Sequence, residues 1–194
     1  MRLTAAGFAA LLAGDARAAE LEPALAAVRE PRAELTLERA GAEARCWIGD
    51  DAACLLVPED ERVSRLFLFE LDELPLALTR AVGATPALAG GDAADRDPPA
   101  RPAGEALEVA PGDLAAALAA AAHGVRAEGP LGDVLDGFRA HWRIADHHAA
   151  VEVIDTAAGP WAVVAGPDAV ELRPVDGTWI AHAIADLARA GARA

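Results

Sequence analysis

The chain has 194 residues and a formal net charge of −14, with no Lys, Asn, Gln or Tyr and a single Ser, Ser64. A Lys Schiff base, a phosphate-loop Lys and a Tyr acid are therefore excluded, and Ser64 lies in a strand-like segment with no nucleophile-elbow motif around it. The acidic excess argues against nucleic acid and against anionic membrane as partners, since both need a basic surface. The length suits one compact domain or two closely packed halves.

In chain order, Thr4 is a plausible N-cap for a helix through Ala13, ended by Gly14. Met1-Arg2, the apolar run after them and Ala16-Arg17-Ala18 also read as a secretory leader with its cleavage site. The run is Ala-rich, holds Gly7 and matches residues 111–124, which favours a helix of the fold. Leu21, Leu25 and Val28 continue at helical spacing, with Pro23 confining regular helix to its own neighbourhood and beyond. No stretch is long and apolar enough to cross a membrane as a helix.

Alternation then takes over. Ala33, Leu35 and Leu37 alternate with Glu34, Thr36 and Glu38, the period of a half-buried strand. Four strands are predicted near 32–38, 43–49, 53–58 and 63–71, punctuated by Gly41, Gly49-Asp50-Asp51 and Glu59-Asp60. Cys46 and Cys54 flank the middle turn. They read either as small buried hydrophobes or as a cross-strand disulfide. Asp72 is expected to cap a helix from Glu73 to Val82, ended by Gly83. Residues 84–104, rich in Pro, Gly, Ala and Asp, read as a linker.

The same order of elements then returns about 107 positions later. An Ala/Leu helix at 111–124 precedes strands near 138–144, 149–155, 161–165 and 169–175. Asp176 caps a last helix whose stripe is Ile180, Ile184 and Leu187, stopped by Gly191. The predicted class is α+β: two internally duplicated units, each helix, four antiparallel strands and helix, related by a quasi-two-fold axis. The halves are 1–83 and 105–194, joined by 84–104 into one compact body. Whether the two sheets meet edge to edge or face to face is open.

Three features bear on chemistry. His141, Asp146, His147 and His148 lie within one hairpin and suggest a metal centre of a small hydrolase. Their spacing is poor for one, because His141 falls on a polar strand face and His147 and His148 fall in a turn. Asp-His-His is similar to a phosphoesterase signature whose further Asp motifs are missing here. His123 reads as a helix C-terminal residue favoured by the dipole, and His182 as structural. The acidic pairs Asp50-Asp51 and Asp95, Asp97 lack the ligand count of a calcium loop. Leu66-Phe67-Leu68-Phe69 is bulky and apolar on both faces of one strand. It is either a doubly covered strand or a docking surface. Trp161 and Trp179 fall in the equivalent region of the second half. Phe67, Phe69 and Trp179 are the expected partner contacts; no catalytic, metal or cofactor residue is expected.

Several segments resemble the EspG proteins of actinobacterial type VII secretion. Leu3-Thr4-Ala5-Ala6-Gly7-Phe8-Ala9-Ala10-Leu11-Leu12 is similar to that family's opening helix. Phe69-Glu70-Leu71-Asp72-Glu73-Leu74-Pro75-Leu76-Ala77-Leu78 is similar to its strand followed by a Leu-Pro helix. Val153-Ile154-Asp155-Thr156-Ala157-Ala158-Gly159-Pro160-Trp161 and Leu172-Arg173-Pro174-Val175 are similar to its closing strands. The missing residue types, which mostly have AT-rich codons, point to a GC-rich genome and agree with an actinobacterial source. The resemblance implies a quasi-two-fold α+β fold. It also implies a cytoplasmic, non-catalytic chaperone that binds a helical secreted protein or PE–PPE-like pair at an exposed apolar tip. The chain departs from the pattern in being shorter than typical members. It also has Asp176-Gly177-Thr178-Trp179 where the first half has Glu73-Leu74-Pro75. The other readings are the small metal-dependent hydrolase and a structural subunit of a larger assembly.

Overall fold

A computed structural model describes residues 1–13, 21–82 and 105–191. Its architecture is α+β: one antiparallel sheet of ten strands with helices on both faces. In the first half, β1 (Arg2–Thr4), β2 (Ala33–Arg39), β3 (Ala42–Ile48), β4 (Ala52–Pro58) and β5 (Val63–Glu70) accompany α1 (Ala5–Leu12), α2 (Glu22–Arg29) and α3 (Leu74–Ala81). In the second, β6 (Leu107–Val109), β7 (Ala140–Ala145), β8 (Ala150–Thr156), β9 (Gly159–Ala165) and β10 (Val170–Pro174) accompany α4 (Pro111–Ala122), α5 (Gly129–Val134) and α6 (Gly177–Gly191).

The strand order is β1-β5-β4-β3-β2-β7-β8-β9-β10-β6. The halves therefore join edge to edge through β2 and β7, Thr36 to Arg39 lying opposite Ala145 to Trp142. The expected four strands per half become five in each, because β1 and β6 add a three-residue strand at either rim.

The period-two pattern decides which residues face which layer. On one face Leu35, Leu37, Ile48, Leu55, Ile144 and Val153 form the main core with Leu74 and Leu78 of α3 and Ile180, Ile184 and Leu187 of α6. The two helices pack against each other across the middle of this face. On the opposite face, α1 and α2 cover Trp47, Cys54 and Leu66 at one end, with Phe8 against Trp47 at 6.0 Å between ring centroids. At the other end α4 and α5 pack with Ile154, Trp161 and Leu172. Between these two caps the opposite face stays polar.

Local chemistry sets the element ends. The Thr4 hydroxyl accepts from Gly7 N–H at 3.1 Å, the expected N-cap of α1. The β2–β3 hairpin turns on Ala40 (φ 49°) and Gly41 (φ 79°), the two positive φ values that a tight two-residue turn requires. Gly49 closes the β3–β4 turn where a Cβ would come within 2.8 Å of Ala27 Cβ, so the missing side chain lets α2 settle on the sheet. The Asp176 carboxylate accepts from Trp179 N–H at 2.8 Å and caps α6 as expected. Asp72 does not cap α3: the N-cap is Glu73, without a side-chain bond, and Pro75 sets the helix start. Gly191 falls within the last turn of α6 rather than stopping it. The expected stops at Gly14 and Gly83 and the linker 84–104 lie outside the described residues.

Candidate functional site

Phe67 and Phe69 stand two apart on β5 and so share a face, opposite Leu55 and Ala53 of β4. Their rings stack at 6.2 Å between centroids, and the Arg65 guanidinium lies 5.8 Å from the Phe67 ring centre. Arg65 is also ion-paired to Glu59, which fixes it at the end of the pair. α3 runs beside these rings without covering them, because its buried residues Leu74, Leu78 and Thr79 turn toward the sheet centre and α6. The Thr79 hydroxyl satisfies itself on Pro75 O at 2.7 Å, so a buried polar atom does not disturb that seam.

An open groove of about 490 Å³ is left, floored by Leu55, Val57, Phe67 and Phe69 and walled by Leu76 and Ala77 of α3. Glu73 stands at one end of the wall and Arg80 at the other. Both phenylalanines are half-buried. The strand that carries them is thus incompletely covered: Leu66 is buried and Leu68 is 38% exposed on the opposite face.

Trp179 is not part of this groove. It is 41% exposed at the head of α6 and lines a different cleft of about 770 Å³ in the second half. That cleft reaches the ends of β8 and β9 and is bordered by Leu114 and Leu118 of α4 and by His141, Arg143 and Glu152. Trp161 is buried in the second-half core.

The His-Asp hairpin does not assemble as a metal site. His141 lies in mid-strand with Nε2 at 2.8 Å from Glu152 Oε1, a diagonal cross-strand pair. Arg143 bridges Glu152 and Glu38, each at 3.8 Å, so the polar strip at the sheet centre is an ion-pair ladder. Asp146 spends one oxygen on His148 N–H at 2.7 Å and Ala149 N–H at 2.6 Å, closing the β7–β8 turn. His147 and His148 are exposed, their rings 3.8 Å apart. Among the described residues no group of three or more His, Cys, Asp or Glu is placed to hold a metal ion. His123 closes α4 and is exposed, while His182 is exposed on α6 rather than packed.

The register also decides the cysteines. Cys46 lies opposite Leu55, and Cys54 opposite Trp47, so their side chains leave the sheet on opposite faces. A disulfide cannot form across that hairpin, and both thiols are free and buried. Burial holds the Cys46 thiol far above its ordinary range and pushes Cys54 up to about 12, which leaves both unreactive.

The missed features are the groove's wall and its charged ends. The sequence marked Phe67 and Phe69, but the direction in which α3 leaves them uncovered depends on its seam with α6. Leu76 and Ala77, at positions between Leu74 and Leu78, were the available signal.

Among the described residues no helix is long and apolar enough to cross a membrane. No protein-family profile matches the sequence, and no curated protein matches it. Among solved structures, the fold is similar to that of the Mycobacterium tuberculosis type VII secretion system chaperone EspG5, determined in complex with a PE25–PPE41 dimer. The superposition has a TM-score of 0.50 at 10% sequence identity and covers 96% of this chain and 95% of that one, a likeness of fold over nearly the whole length of both.

Proposed function

We propose that this chain is a non-catalytic, cytoplasmic chaperone or adaptor that holds a helical secretion substrate, of PE–PPE type or related, on the first-half groove. The observation that carries the reading is the open apolar groove floored by Phe67 and Phe69 beside α3, on the face whose centre α3 and α6 cover. Aromatic residues in a concave apolar site are the usual anchors of a protein interface. The fold likeness to a type VII secretion system chaperone solved with a PE25–PPE41 dimer supports it. Trp179, exposed at the head of α6 and lining a separate cleft of the second half, is a second contact apart from the groove. The acidic surface keeps such a complex soluble.

The two halves descend from one duplicated unit, joined through 84–104. In support, Leu37 lies opposite Ile144, 107 positions later, where a quasi-two-fold axis relating two such units would pass. The β3–β4 hairpin turns at 49–52, and its counterpart β8–β9 turns at 156–159. Ala33 opposite Ile48 has Ala140 opposite Asp155 as its counterpart.

The test is co-purification of the tagged full chain with a helical secretion substrate from the host, followed by the same experiment with Phe67→Ser and Phe69→Ser together. Near-equal amounts of client with the parent chain, and none with a variant that still unfolds cooperatively, support the reading. Loss of the fold in the variant assigns the two rings to the core and removes the site.

A further inference from the structure

Resting on the groove reading above, we infer that its occupant is an amphipathic helix of defined polarity. It lies antiparallel to α3, with an acidic residue in its first turn and a basic residue about two turns later.

The groove is the next place in a helix layer. On this face α6 packs on α3, and α3 presents its far side to the groove over β4 and β5. A helix laid there meets a sheet below and a helix beside it, the environment α6 itself has. Ala77 and Ala81 on the groove side of α3 carry only methyl groups. They allow interaxial approach toward the close end of the usual helix–helix range, about 8 Å.

The ends of the wall supply the polarity. Glu73 and Arg80 are exposed, and neither has an ion-pair partner among the described residues. Seven residues of helix separate charges by about 10 Å, two turns. An antiparallel occupant brings its N-terminal turn to Arg80 and its C-terminal turn to Glu73. Acid at its start and base at its end then satisfy both α3 charges and the occupant's own macrodipole. A parallel occupant needs the reverse order, against its own dipole.

The second half does not offer a second copy of this site. Phe67 lies opposite Leu55; their counterparts 107 positions after Leu55 are Ala162 and, opposite it, Arg173. Arg173 is bonded to Glu171 at 2.6 Å, which places an ion pair where the first half has an aromatic floor. The counterpart of Phe69 is Val175, which is buried in the main core. One molecule therefore takes one helix.

Two labelled synthetic helical peptides, each of four turns with a Leu stripe, test the inference by fluorescence anisotropy against the full chain. One carries Glu in its first turn and Arg seven residues later; the other exchanges them. The expected result is that the first binds severalfold more tightly, because the second matches Glu73 and Arg80 only by lying parallel to α3 with both of its charges against its own dipole. The double variant Glu73→Arg with Arg80→Glu, accepted only if it still unfolds cooperatively because both changes oppose the α3 dipole, is expected to turn the bound first peptide end for end, read from paramagnetic broadening by a nitroxide at its N-terminus; an unchanged pattern overturns the polarity. Equal binding of both peptides, abolished by Phe67→Ser with Phe69→Ser, overturns the polarity and leaves the groove reading standing. Binding of neither peptide overturns both. Self-association of the chain, seen by sedimentation and lost in the Phe variant, assigns the groove to a second copy and overturns the inference.

Discussion

Asp146 shows how one carboxylate can serve the fold where the sequence pattern points to chemistry. Partial burial opposes its ionisation, but the N–H bonds from Ala149 and His148 and the neighbouring imidazoles outweigh it, and its pKa falls below the ordinary value. A folded-state pKa below the unfolded one means stability that is present above the usual aspartate range and lost as pH falls through the folded value. Asp146→Ala is expected to lower unfolding free energy by about 1 kcal/mol at neutral pH. The gap should narrow between neutral pH and an acid pH below the lowered folded-state value, where the carboxylate is protonated. Urea denaturation at both pH values checks this; an equal gap at both removes the carboxylate from the turn's stability. Single residues were legible where the bond is local, as at Thr4 and Asp176. They were not where partners come from another strand: nothing near His141 in sequence announces Glu152, which the β7–β8 register supplies.

At the scale of elements, α3 separates stability from recognition by the side its residues face. Leu78 is fully buried at the seam with α6, whereas Leu76 lines the groove and is half-buried. Leu78→Ala should cost about 2–5 kcal/mol through the cavity it leaves. Leu76→Ala should cost roughly 1 kcal/mol or less, since its side chain gives up little burial. Urea midpoints with unchanged slopes check the pair, and similar costs for both contradict the described facing of α3. The eight main strands were readable because alternation survives five or more residues. β1 and β6 were not, since three residues carry no period. The six-residue α5, entered through Gly129-Pro130, is too short to show a stripe. The groove lies between these cases: its floor is a sequence pattern, its wall a tertiary one.

For the molecule as a whole, a net charge of −14 is a self-repulsion that the core must overcome. Raising NaCl from about 0.05 M to about 0.5 M shortens the screening length from roughly 14 Å to roughly 4 Å. The thermal midpoint is expected to rise by a few degrees, read by scanning calorimetry; a fall would mean that the surface ion pairs dominate instead. How the halves meet was not legible. β2 and β7 alternate like any half-buried strand, and nothing in either marks its edge as the one to be joined. The answer lies in the pairing of Leu37 with Ile144 at the centre of the sheet. A joint of this kind is indifferent to which molecule supplies its second side. Two chains that exchange halves keep every β2–β7 hydrogen bond and every α3–α6 contact, and differ from two monomers only in connectivity and in the freedom lost on association. An exchange of halves between two chains would leave this joint intact, and concentration is the variable that would select it.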